Sequence, residues 1–424
     1  MKSFAPATSL KGVVENIASD KSISHRCAMF SLLAKGACEV QNFLQASDTL
    51  DTLKIAQHLG LEVIQKNSNT LSLIPPKNGI KEPNVLLDCG NAGTAMRLYT
   101  GLLAGVKGYF VLCGDKYLHA RPMQRVIAPL QSIGARIFAR EGGYAPLSII
   151  GAKLQGFAYA SPIASAQVKS AMLLSGLFAS SESRFSEPEL SRDHTERMLK
   201  KMGAKITKSA NTIELEPLQG PLDPFSITIP SDPSSAFFFA LAGVIVPGSH
   251  LVLKNVLLNP TRIQAYEVLK KMGAKISYEN KKEQIETTGD IIIESSDLCA
   301  IEVSEHIAWL IDELPALAIA MAVAKGKSVV KNAKELRVKE SDRIKAVVSN
   351  LQKMGIVATE REDGFEILGG ELKPARVDSY GDHRIAMSFA VAMLLCGGEI
   401  EDFSCVNISF PNFLEILEQI KKGA

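Results

Sequence analysis

The sequence predicts an α/β (α+β) protein of two similar domains. Each domain holds three repeats of roughly 70 residues, with buried parallel helices and surface sheets. Three observations predict this. First, a polar or Gly-containing turn leads into an Ala/Leu/Met-rich helix at six places: Asp20-Lys21-Ser22, Asn91-Ala92-Gly93-Thr94, Ser165-Ala166-Gln167, Asp232-Pro233-Ser234-Ser235, Asp312-Glu313-Leu314-Pro315 and Asp382-His383-Arg384. Second, an amphipathic helix ending in an apolar–Gly pair runs in phase with these starts. It closes at Leu59-Gly60, Ile133-Gly134, Met202-Gly203, Met272-Gly273 and Met354-Gly355, and a sixth such helix lies around Phe413 to Ile420. Glycine is the residue expected just past a helix end. Third, 424 residues exceed one ordinary core. Two helices and several strands per period are too much for a thin solenoid, so three units closing around each core is the expected architecture. The buried helices would then start at a cleft between the domains, where their dipoles sum into an anion site.

Composition narrows the function classes. Hydrophobic residues make up 46% and charged residues 22%, as in ordinary globular proteins. The 47 basic and 45 acidic residues leave a net charge of +2, so no global field favours nucleic acid or a membrane surface. The seven cysteines show no C-x-x-C pair, and Cys27, Cys113 and Cys396 sit in apolar runs. They read as reduced thiols, which fits a cytoplasmic protein. Met1 to Pro6 shows no signal-peptide core, and no apolar run reaches membrane-spanning length.

Taken in order, the helix starts carry the chemistry. Asp20 is a helix cap, and the apolar run Cys27-Ala28-Met29-Phe30 reads as a buried helix closed by Gly36. Lys21 and Arg26 lie in its first two turns, where the helix dipole disfavours each cation by about 0.3–1 kcal/mol. A bound anion, held by backbone N–H groups, the serines and the two cations, would offset that; the alternative is an ordinary capped helix with solvated charges. Ser22 and Arg26 share a face, and Lys21 points elsewhere. At Gly90-Asn91-Ala92-Gly93, the glycines let the backbone approach a ligand, with Arg97 a turn later; a plain strand-to-helix turn is the equal alternative. Arg121-Pro122-Met123 places Pro122 at the first position of a helix, with Arg121 able to grip a carboxylate or phosphate. Taken alone, this segment reads as a surface loop. Ser165-Ala166-Gln167 puts hydroxyl and amide groups at a helix start, with Lys169 close behind. In Ser191-Arg192-Asp193-His194-Thr195-Glu196, Ser191 reads as a cap and His194 as helix surface. Asp312 is either a cap or a desolvated base toward a substrate hydroxyl. Lys339-Glu340-Ser341-Asp342-Arg343 reads by default as an exposed charged helix, although Glu340 and Arg343 fall near one face. His383 reads as a structural hydrogen-bonder. No cluster has metal-ligand spacing, and neither a Walker A nor a G-x-G-x-x-G motif occurs, so cations are expected to do the work of a metal and no cofactor is expected.

These motifs, in this order and spanning nearly the whole chain, resemble the 5-enolpyruvylshikimate-3-phosphate synthase family. The run Arg337-Val338-Lys339-Glu340-Ser341-Asp342-Arg343 is part of the match. The resemblance implies transfer of the enolpyruvyl group of phosphoenolpyruvate to the 5-hydroxyl of shikimate 3-phosphate. Phosphate is released, and the route runs through a tetrahedral intermediate in the pathway to chorismate and aromatic amino acids. It implies one domain over residues 20–227 and another over 1–19 plus 228–424. Lys21, Ser22, Arg26, Ser165, Ala166, Gln167, Arg192, Asp312 and Lys339 would bind shikimate 3-phosphate. Lys21, Gly93, Arg121, Gln167, Glu340, Arg343 and Arg384 would bind phosphoenolpyruvate. Asp312 would take the hydroxyl proton, with Glu340 and Lys21 handling protons at the enol carbon. A monomer without metal or cofactor is implied.

Three positions depart from the common pattern. Ala166 stands where a second serine is usual. The Ser191–His194 segment looks like the subgroup less sensitive to glyphosate, whereas Gly93 is the residue associated with sensitivity. Ile408 stands where some members carry a lysine. The nearest rival family, UDP-N-acetylglucosamine enolpyruvyl transferase, has Lys-Asn where this chain has Lys21-Ser22, and a loop cysteine absent beside Arg121. A non-catalytic anion-binding scaffold is the alternative of another class.

Overall fold

The computed structural model describes residues 1–423, apart from the Ile408 side chain, so the expectation attached to Ile408 lies outside the described residues. Backbone contacts divide the chain into two units, Ser19–Ile229 and Met1–Ala18 plus Pro230 to the C-terminus.

In the unit from Ser19 to Ile229, buried and amphipathic helices alternate as α1 (Lys21–Ser31), α2 (Ser47–His58), α3 (Gly93–Ala104), α4 (Gln124–Ser132), α5 (Ala166–Gly176) and α6 (His194–Lys201). The odd-numbered helices are buried almost all round; every residue of α1 from Ile23 to Ser31 is buried. The even-numbered ones bury one stripe, such as Val126, Ile127 and Leu130 of α4. Gly60, Gly134 and Gly203 follow the amphipathic helices with φ of +105°, +98° and +89°, the left-handed termination that glycine permits.

Three four-stranded sheets share one topology. In the order Leu87–Asp88, Tyr109–Cys113, Tyr144–Ile150, Arg136–Arg140, the first pair is parallel and the others antiparallel. Ala158–Ala160, Ser183–Ser186, Thr212–Leu215 and Ile206–Ser209 repeat the pattern. The sheet containing Cys38–Gln41 takes its parallel strand from the far end of the unit, Ser226–Thr228, with Ile227 opposite Val40. The unit is thereby closed on itself.

The helices α3 and α5 approach so closely that a Cβ on Gly101 would lie 2.2 Å from the Ala171 carbonyl oxygen. Only glycine allows that crossing, and it brings the starts of the two helices together.

The second unit repeats the plan with α7 (Pro233–Ile245), α8 (Gln264–Lys271), the short α9 (Ile307–Leu310), α10 (Leu314–Val323), α11 (Arg343–Lys353), α12 (His383–Cys396) and α13 (Phe413–Lys422). The N-terminal strand Lys11–Val14 pairs in parallel with His250–Leu257, Val13 opposite Val252, and completes a sheet that the later chain leaves short. The final repeat departs from the pattern. Its sheet has three strands, Lys2–Phe4, Gly398–Glu401 and Ala375–Asp378, and the chain then turns into α13. Phe413 of α13 stacks on Phe239 of α7 at 5.4 Å between centroids, tying the C-terminal helix to the core.

Some local expectations are corrected. The first buried helix ends at Ser31 with Leu32 as its C-cap, before Gly36, because the cap N–H already bonds back to Met29 and Phe30. Pro122 precedes its helix instead of opening it: α4 begins at Gln124 after a 3-10 turn over Leu118–Ala120. Ser191 is not the cap of α6; Asp193 holds that position, and His194 is fully buried. Among the described residues, no helix is long and apolar enough to cross a membrane.

Candidate active site

The predicted site residues fall into two clusters, one in each unit. In the unit Ser19–Ile229, Asp20 caps α1 by accepting the Ile23 N–H at 2.8 Å. The two cations that follow diverge, as the helical spacing requires. Lys21 pairs with Asp48 of α2. Arg26 is buried, and its guanidinium donates to Thr195 Oγ1 at 2.8 Å, Ser170 Oγ at 2.9 Å and the Ser22 carbonyl at 2.9 Å. One side chain thus joins α1, α5 and α6; Ser22 lies on the first, and Ser165 and Arg192 just before the other two.

The α3–α5 contact is polar at its open end. Arg97 Nη1 donates to Gln167 Oε1 at 2.7 Å, and Gln167 Nε2 donates to Thr94 Oγ1 at 3.1 Å. Ser165 caps α5, its Oγ accepting from Val168 N–H at 3.5 Å, which leaves Ala166 as the first helical residue. Arg121 is held by Asn91, donating to Oδ1 at 2.8 Å, and Asn91 donates in turn to Asp115 Oδ2 at 2.9 Å. Gly93 lies beneath both arginines: a Cβ there would meet Arg97 Nη1 at 2.8 Å and Arg121 Nη1 at 3.3 Å. Lys169, grouped by sequence with the anion-binding cations, instead turns inward and is fully buried against Glu187 and Glu196.

His25, in the second turn of α1, is wholly buried with Nδ1 2.7 Å from Thr52 Oγ1. Burial, followed by the charge of Lys21, lowers its pKa from 6.5 to about 3, with Asp48 opposing. The folded chain therefore refuses a proton that the unfolded chain accepts across that window. Stability is expected to fall as pH drops from about 6.5 toward 3, by up to about 1.4 kcal/mol per pH unit. His25→Asn should remove that component of the slope, measured by urea denaturation at pH 4.5 and 6.5 (about two pH units apart).

In the other unit, Arg343 opens α11, fully buried, and gathers three carboxylates. It donates to Asp382 at 2.8 Å, to Glu340 at 2.7 Å and to Asp312 at 3.4 Å. Burial alone would lower its pKa; the charges of Asp382, Glu340 and Asp312 outweigh that and raise it. The Lys339–Arg343 run is therefore not an exposed helix. A 3-10 turn over Lys334–Val338 ends at Lys339, Asp342 caps α11, and the cluster turns inward at Arg343. Lys339 is largely shielded, and burial lowers its pKa, opposed first by Asp312.

Asp312 is not the helix cap: Glu313 takes that place, and Asp312 stands two residues before α10. Its carbonyl accepts from Arg384 Nη1 at 3.2 Å. Glu313 is buried and accepts from Ser234 Oγ, and Arg262 donates to both Ser234 Oγ, at 3.1 Å, and Asp232, at 3.0 Å. Asp382 both caps α12, at 2.9 Å from Arg384 N–H, and receives Arg343.

Asp48, Thr195, Ser170 and Ser234 were not legible as site residues. Each meets its partner across a long stretch of chain, and no local pattern marks them.

Two clusters of cations and carboxylates at the starts of buried helices define a class: an acid–base enzyme built to hold substrates bearing phosphate and carboxylate. A family model described as EPSP synthase (3-phosphoshikimate 1-carboxyvinyltransferase) matches residues 4–417. The chain is 60% identical to the 3-phosphoshikimate 1-carboxyvinyltransferase of Wolinella succinogenes, over 96% of this chain and 94% of that one. It is 57% identical to that of Helicobacter hepaticus, over 98% and 97%. The solved EPSP synthase of Acinetobacter baumannii superposes with a TM-score of 0.88 at 40% identity, covering 99% of this chain and 97% of that one. The chain belongs to the EPSP synthase family.

Proposed function

We propose how this chain carries out its family's reaction, the transfer of the carboxyvinyl group of phosphoenolpyruvate to the 5-hydroxyl of shikimate 3-phosphate. The observation that supports the assignment of roles is the pair of carboxylates, Asp312 and Glu340, held on one guanidinium by Arg343. Two acids fixed to one cation suit a reaction that adds a proton at one atom as it removes one at another.

In the addition step, Asp312 accepts the 5-hydroxyl proton while that oxygen bonds to C2 of phosphoenolpyruvate. A proton delivered from Glu340 or Lys21 converts the C3 methylene to a methyl group. In the elimination step, Glu340 or Lys21, whichever gave its proton to C3, takes a proton back from that methyl as the C2–O bond to phosphate breaks; the electron pair leaves with phosphate, which takes up the proton held by Asp312, and the enol ether is released. Lys21, Ser22, Arg26, Ser165, Ala166, Gln167, Arg192, Asp312 and Lys339 contact shikimate 3-phosphate. Lys21, Gly93, Arg121, Gln167, Glu340, Arg343 and Arg384 contact phosphoenolpyruvate. The net charge of +2 and the seven unpaired cysteines support a cytoplasmic enzyme of small anions. A monomer is the working unit that the resemblance implies.

Phosphate release from phosphoenolpyruvate tests this reading, with shikimate 3-phosphate and UDP-N-acetylglucosamine supplied separately after chelator treatment. Release with shikimate 3-phosphate alone is expected; release only with the sugar nucleotide, or with neither, overturns it. Gly93→Ala probes the second substrate. The backbone accepts alanine, but the methyl presses on the arginine tips. KM for phosphoenolpyruvate should rise about tenfold, roughly 1.4 kcal/mol of binding, with KM for shikimate 3-phosphate changing much less. Equal changes in both would place Gly93 outside the phosphoenolpyruvate contacts.

A further inference from the structure

The ionic cluster around Lys169 plays no part in the chemistry above, yet it is one of the most deeply buried charge groups in the chain. Lys169 Nζ lies 2.9 Å from Glu187 Oε1, 3.0 Å from Glu196 Oε1 and 3.0 Å from the Ser191 carbonyl oxygen. The Lys169 and Glu187 side chains are fully buried, and Glu196 nearly so. Glu187 Oε1 also accepts the Ser191 N–H at 2.8 Å. Both backbone polar groups of Ser191 are thus held by the cluster, one by each sign of charge.

Ser191 immediately precedes Arg192 in the segment that leads into α6. The other end of this junction is also fixed: Thr195 accepts from Arg26 at 2.8 Å and lies 2.7 Å from Ser170 Oγ. The chain around Arg192 is therefore held on both sides: Ser191 by Glu187 and by Lys169 of α5, and Thr195 by Arg26 of α1 and Ser170 of α5. Taking two carboxylates and an ammonium out of water is unfavourable, and apolar residues of similar volume would fill such a space with less desolvation. What the ions provide and apolar groups cannot is directional hold on a backbone N–H and a backbone C=O at once.

We propose that Lys169 and Glu187 are positioning residues that set the place of the Arg192 guanidinium for the phosphate of shikimate 3-phosphate. This rests on the assignment of Arg192 as a phosphate contact. The cluster touches no substrate; it acts through the peptide at Ser191. A guanidinium grips a phosphate through two parallel N–H donors, so a small displacement of its backbone forfeits one of them.

Lys169→Met strands two buried carboxylates and is a poor test, because the variant can simply fail to fold. Glu187→Gln is the better one. The amide oxygen still accepts from Ser191 and Lys169, but as a neutral group with a weaker hold. The measurement is a double-mutant cycle on the equilibrium dissociation constant of shikimate 3-phosphate, using Glu187→Gln, Arg192→Ala and the pair. Glu187→Gln is expected to raise that constant about fivefold to tenfold, and Arg192→Ala to raise it more. In the Arg192→Ala background, Glu187→Gln should add less than twofold, because the group it positions is gone. If Arg192→Ala leaves binding unchanged, the assignment of Arg192 as a phosphate contact fails. If Arg192→Ala weakens binding but Glu187→Gln has no effect, or an equal effect in both backgrounds, the positioning role is overturned. A shift in melting temperature without the loss in binding likewise reduces the cluster to a structural one.

Discussion

Asp312→Asn lowers kcat about 10³-fold, within the range of 10² to 10⁴ that a positioned general base contributes, while KM for shikimate 3-phosphate changes by less than a few-fold. The expectation follows from where Asp312 stands. It is outside the helix, so its carboxylate is not spent as a cap, and its backbone carbonyl is pinned by Arg384 at 3.2 Å. The carboxylate accepts from Arg343 at 3.4 Å, a contact that fixes its direction. Asparagine keeps the size and loses the basicity. Single-turnover phosphate release in a rapid-quench experiment separates the chemical step from binding. A loss below tenfold in that step would move the proton acceptor to another residue, and Glu340→Gln would then be expected to show the larger defect.

Arg343→Met destabilises the fold by about 3–5 kcal/mol, the cost of removing one partner from a buried ionic group. Asp382 is fully buried, and after the guanidinium is gone it keeps its Ser341 contact at 3.1 Å and the α12 cap. Two further carboxylates, Glu340 and Asp312, lose the charge that lets them approach. Such a loss is a large part of the 5–15 kcal/mol that holds an ordinary domain folded. Arg343→Lys should recover less than half of it, since a single ammonium cannot match the separate directions in which a planar guanidinium meets three acids. Urea denaturation of the two variants beside the parent measures both values. A loss under 1 kcal/mol for the methionine variant would mean that the three carboxylates tolerate one another by taking up protons.

Glutamate 187 and lysine 169 illustrate why the site was only partly legible. Lys169 lies within two turns of a buried helix start, as Arg26 and Arg97 do, and the local pattern treats all three alike. The difference is what each meets across the core: Glu187 for Lys169, Thr195 for Arg26, Gln167 for Arg97. The Lys339–Arg343 run failed in the opposite direction. Its alternating charges look like a solvated helix, and Asp382 and Asp312, both far along the chain, help explain why Arg343 is buried. His194 and the cap of α6 were misread because the segment from Ser191 is held by tertiary ion pairs and not by a capping box.

What the sequence determined by itself were features whose causes lie within one turn of the chain: the Asp20 cap, the glycines past the amphipathic helices, and the buried helix starts, at two of which the structure shows Asp232 and Asp382 as caps. Those interactions span at most four residues, so their pattern survives in a linear reading. The tertiary structure alone decided which acid or hydroxyl each cation meets. Lys21 with Asp48, Lys169 with Glu187 and Arg343 with Asp382 are pairs of distant residues. A charge has no fate until the fold supplies its partner and removes its water.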